Sequence, residues 1–77
     1  MSRRFQDAGL LEWEAYASGG AHGYADHARI VFHCLSDSSR RAREVRLEGD
    51  QSDAERMVAD GSAEQLATLL DEASELR

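Results

Sequence analysis

An α+β fold is predicted by three observations: apolar residues alternate with period two up to about Gly49, two capped segments of helical period follow, and glycine- and serine-rich turns separate the strands. The expected order is β-β-β-α-α, a three-stranded antiparallel meander with both helices packed on one face. Residues 1–9 have no such period. They read as a loosely ordered lead-in with Phe5 held against the body, which leaves 10–77 as a single small α+β domain.

From Leu10 to Ala17 the alternation sets Leu11, Trp13 and Ala15 on the core face and Glu12, Glu14 and Tyr16 on the other. Three glycines within Ser18–Gly23 then mark a hairpin turn. A second strand, about Tyr24 to Leu35, directs Ala28, Ile30, Phe32 and Cys34 inward and His27, Arg29, Val31, His33 and Leu35 outward. Apolar residues on both faces near its end suit a central strand or one whose outer face meets another surface. Ser36–Ser39 forms the next turn by composition. The third strand, about Arg41 to Glu48, sets Arg43, Val45 and Leu47 against Glu44, Arg46 and Glu48.

Ser52 and Glu55 have the spacing of a capping box, which predicts a short helix over Asp53–Asp60 ended by a left-handed Gly61. Ser62 and Gln65 repeat that spacing. The second helix, about Ala63 to Leu76, carries Leu66, Leu69, Leu70, Ala73 and Leu76 as an amphipathic stripe. Trp13, Ile30, Phe32, Val45 and Leu47 are therefore expected to meet Met57, Val58, Leu66, Leu69 and Leu70.

The 77 residues are 42% hydrophobic and 31% charged, a composition that folds but builds only a small core. Cys34 is the single cysteine, which rules out an internal disulfide and suits a reducing, cytoplasmic setting. No apolar h-region follows the opening Met-Ser-Arg-Arg, and no run approaches the roughly 18 apolar residues of a membrane span, so no membrane partner is expected. Residues 1–49 hold seven Arg against seven acidic residues, whereas 50–77 hold two Arg against eight, so the helical half carries the whole net charge of −6. An acidic chain repels phosphate backbones at long range, which argues against nucleic acid as a partner.

Metal chemistry fits poorly. His22, His27, His33 and Cys34 are ligand types for zinc, but His27 and His33 in one strand stand roughly 20 Å apart and His33 and Cys34 point to opposite faces. Beside Glu12 and Glu14 on the outer face, the histidines read as solvated cross-strand partners, with pH sensing as the functional alternative. Cys34, directed inward, behaves as a small apolar group rather than a nucleophile. No phosphate loop, dinucleotide fingerprint or nucleophile elbow is present, so no catalytic residue and no cofactor is assigned.

Arg40, Arg41, Arg43 and Arg46 form the one basic cluster, on what is expected to be an edge strand. Arginine forks there suit a phosphate or carboxylate, but charged residues also guard strand edges against unwanted pairing. Tyr16, Val31, His33 and Leu35 compose an outer-face patch suited to a partner surface. The sequence thus points to a non-enzymatic interaction module that forms a homodimer through its sheet. Binding of nucleic acid or an acidic ligand through Arg41, Arg43 and Arg46 is the alternative, and a small enzyme working within a larger complex is the third reading.

Overall fold

The computed structural model describes residues 2–18, 28–47 and 49–75. Along the chain lie β1 (Ser2–Gln6), β2 (Glu12–Ser18), β3 (Arg29–Cys34), β4 (Arg43–Arg46), α1 (Gln51–Asp60), α2 (Ala63–Glu72) and β5 (Ser74–Glu75). The strands form one antiparallel sheet in the order β1-β2-β3-β4-β5. The α+β class and the antiparallel sheet agree with the sequence reading, but the sheet has five strands rather than three. The glycine-rich turn and the expected strand start at Tyr24–His27 lie outside the described residues.

The first extra strand replaces the expected lead-in. β1 pairs with β2, setting Phe5 opposite Trp13. Phe5 is buried and meets Phe32 edge to face, with ring centroids 5.8 Å apart. Such burial contributes about 1.5–3 kcal/mol, enough to hold a five-residue strand whose own periodicity is weak. Arg3 on the same face donates to the carbonyl oxygens of Val58, Ala59 and Gly61. A guanidinium thus caps the negative end of α1, whose last turn has no basic residue of its own.

The second extra strand shortens the last helix. α2 stops at Glu72, Ala73 is extended, and Ser74–Glu75 pair with Glu44 and Arg43 of β4. Ala73 stands three residues after Leu70, so it fits the helical stripe while packing on the core from an extended conformation. Because β5 covers β4, the arginine strand is not the edge that the sequence suggests.

Helix starts follow hydrogen bonding. Asp50, not Ser52, caps α1: its carboxylate accepts from the Asp53 amide while the Asp53 carboxylate accepts from the Asp50 amide. Gly49 makes the bend before it with φ 134°, where a β-carbon would also lie 2.4 Å from Asp53 Oδ2. Ser62 and Gln65 form the expected box on α2. Gly61 is extended (φ −64°, ψ 147°) rather than left-handed. It is needed instead for close approach, since a β-carbon would lie 2.5 Å from the Met57 carbonyl oxygen.

Both helices lie on one face of the sheet. Ala54, Val58, Leu66 and Leu70 close over Phe5, Trp13, Ala15, Ala28, Ile30 and Phe32. Val45, Leu47, Met57 and Leu69, expected in the core, pack at its margin, where Cys34 also lies half-buried.

Candidate partner interface

The turn β1–β2 and the loop β3–β4 emerge at the same end of the sheet. Leu35 N–H donates to the Glu12 carbonyl at 2.8 Å and the Glu12 amide donates to Ser36 Oγ at 2.9 Å, which seats the start of the second loop against the start of β2. In the first turn, Leu10 N–H donates to the Asp7 carbonyl and Asp7 N–H to the Leu11 carbonyl. That pattern calls for a left-handed residue before the returning strand, and Leu10 fills it with φ 67°. Glycine or asparagine ordinarily stands in such a place.

Leu10 is 75% exposed and Leu35 44% exposed. Among the described residues these are the two large hydrophobic side chains that face solvent, and both sit at this end of the sheet. Sequence reasoning named Leu35 but missed Leu10, because the turn that exposes it is legible only once β1 is recognised as a strand.

A set of hydrogen bonds to the Asp7 carboxylate braces this end. Asp7 Oδ2 accepts the Trp13 indole N–H at 2.8 Å, and Oδ1 accepts the amides of Gly9 and Leu11. Desolvation pushes the Asp7 carboxyl upward, but Trp13, the Leu11 and Gly9 amides and the Arg40 charge together hold it below its ordinary value of 3.8. The Arg43 guanidinium lies 5.8 Å from the Trp13 ring centroid, a cation–π contact on the helix-side face. In the second loop, Asp37 accepts from Ser39 and pairs with Arg40 at 3.5 Å.

The outer sheet face differs from the sequence picture. Tyr16 and His33 stack with centroids 5.6 Å apart, and Tyr16 Oη lies 3.0 Å from His33 Nε2. Glu14 stands opposite His33 in register, while Arg29 pairs with Glu44 at 3.1 Å. Val31, between Tyr16 and Glu44 in register, is only 6% exposed and offers a partner little surface. Tyr16 is half-buried, and His33 and Leu35 are exposed. The exposed patch therefore shifts from mid-face toward the loops.

The arginines do not converge. Arg43 lies on the helix side, Arg46 on the outer face opposite Arg29, and Arg41 in the loop before β4. Among the described residues, no group of three or more His, Cys, Asp or Glu is placed to hold a metal; His22 and His27 lie outside them. No described helix is long and apolar enough to cross a membrane. Comparison with protein families, curated proteins and solved structures gives no match.

Proposed function

We propose that this chain is a small non-enzymatic interaction module of the cytoplasm that forms a homodimer through the loop end of its sheet. Leu10 and Leu35 are the central contacts, with His33 and Tyr16 flanking them on the outer face. One observation carries the reading: two exposed leucines share one end of the sheet, and one of them sits in a left-handed conformation that a leucine does not favour.

Charge supports the same face. Residues 1–49 have equal numbers of Arg and acidic residues, so two copies meeting there keep their acidic helices apart. A twofold contact also buries the same leucines on both subunits. The dispersal of Arg41, Arg43 and Arg46 gives the alternative, binding of nucleic acid or an acidic ligand through these arginines, less geometric support.

The test is a concentration series of amide NMR spectra. Shifts that grow with concentration at Leu10, Leu11, His33 and Leu35, and that vanish in Leu35→Glu, are the expected result. Concentration-dependent shifts centred on the helices, or spectra that do not change with concentration, contradict the reading.

A further inference from the structure

The groove between α1 and α2 lies on the layer opposite the outer sheet face and plays no part in the contact proposed above. Half-buried Met57 and Leu69 form its apolar floor, in an open depression of about 550 Å³ bordered by Gln65, Thr68 and Glu64. An adjoining hollow of about 380 Å³ shares Met57 and Gln65 and continues the groove past Asp53, Arg56 and Asp60. An open depression with an apolar floor suits the side chains of a helix laid across it better than it encloses a small molecule.

Charge selects the occupant. Among the described residues, three carboxylates, Asp53, Asp60 and Glu64, border the furrow against the guanidinium of Arg56. Glu72 lies one helical turn beyond Thr68 and extends the acidic rim along the same face of α2. At the end of α2 the placement of the acids opposes helix stability: Asp71 and Glu72 lie in its last turn, which has no basic residue, whereas Arg3 already meets the end of α1. Carboxylates at the negative end of a helix dipole are unfavourable, so the isolated domain holds more negative potential here than its own fold favours. A cationic partner relieves that conflict.

We propose that the α1–α2 groove docks a basic amphipathic helix of a different protein, its apolar stripe on Met57 and Leu69 and its Lys and Arg side chains against the acidic rim. A second copy of this chain is a poorer occupant. Arg3, Arg29, Arg40 and Arg43 are engaged within their own subunit, and two acidic helix layers repel one another. Nucleic acid is disfavoured by the same negative field.

The probe is a fluorescent synthetic helix of about 16 residues with leucines at i, i+3, i+4 and i+7 and Lys or Arg elsewhere. Its controls are a scrambled peptide of identical composition and a version with Glu in place of the cations. The patterned basic peptide is expected to bind, to shift the amides of Met57, Gln65, Thr68 and Leu69, and to weaken about tenfold between roughly 50 and 300 mM salt. Glu64→Lys/Glu72→Lys is expected to reduce its affinity about tenfold or more. Glu72→Lys alone guards against a folding artefact: its unfolding midpoint should be no lower than that of the native chain, while affinity falls about threefold. Absence of binding, equal affinity for the scrambled peptide, shifts centred on the sheet, or unchanged affinity in both variants overturns the proposal.

Discussion

Leu10 holds a conformation that its side chain does not favour, at a site where that side chain touches water rather than core. Leu10→Gly removes the β-carbon clash of the left-handed region and is expected to raise stability by about 1 kcal/mol in urea unfolding. The same change should weaken self-association, a division between stability and function common at contact residues. A stabilised variant that associates like the native chain would detach Leu10 from the interface. Asp7 makes a second test, read by the fluorescence of Trp13, the only tryptophan. Its carboxyl titrates below the ordinary 3.8, so the charged form is favoured in the fold. Its contribution is complete above about pH 4 and is lost as pH falls through the lowered folded value. Asp7→Asn should be less stable than the native chain at pH 7, and the gap should narrow as pH falls below 3.8. A gap that stays constant with pH would show that the Trp13 brace does not depend on charge. Alternation put Tyr16 and His33 on the face opposite Ala15 and Phe32, as the strand register has them, whereas Leu35 lies just past the end of β3, in the loop. Sequence reasoning overstated Val31, since burial depends on how neighbouring side chains lie over it.

At the scale of elements, two overlapping capping patterns competed for the start of α1, and the carboxylate pair Asp50 and Asp53 took the place expected for Ser52 and Glu55. Asp50→Ala should therefore cost about 0.5–2 kcal/mol, while Ser52→Ala should fall within about 0.5 kcal/mol of the native chain in the same denaturation assay. Reversed magnitudes would place the cap where the sequence first suggested it. The two helices were legible because their stripes and capping residues agree. β1 was not, because its stability resides in Phe5 on Phe32 and in Arg3 reaching the end of α1, contacts that join residues more than twenty positions apart. Arg3→Met keeps the aliphatic stem and removes the guanidinium. We expect a loss of about 1–2 kcal/mol from the missing charged hydrogen bonds. A loss near zero would mean that Phe5 alone secures the strand. β5 escaped notice for a different reason: Leu70 to Ala73 keeps helical spacing although the chain has already turned extended.

For the whole molecule, the sheet layer is balanced in charge and the helix layer is acidic, which separates a face suited to self-contact from one suited to a cationic partner. The sheet edges fit this division. β5 is only two residues long, and β1 carries Arg3 and Arg4, features that discourage indiscriminate strand addition. The most direct test is sedimentation velocity of the native chain and Leu35→Glu over a wide concentration range, with far-UV circular dichroism to confirm folding. A native dimer that dissociates on dilution and a Leu35→Glu variant that remains a folded monomer throughout are expected. A native chain that is monomeric at every concentration, or a Leu35→Glu chain that dimerises as the native one does, would contradict the proposed contact.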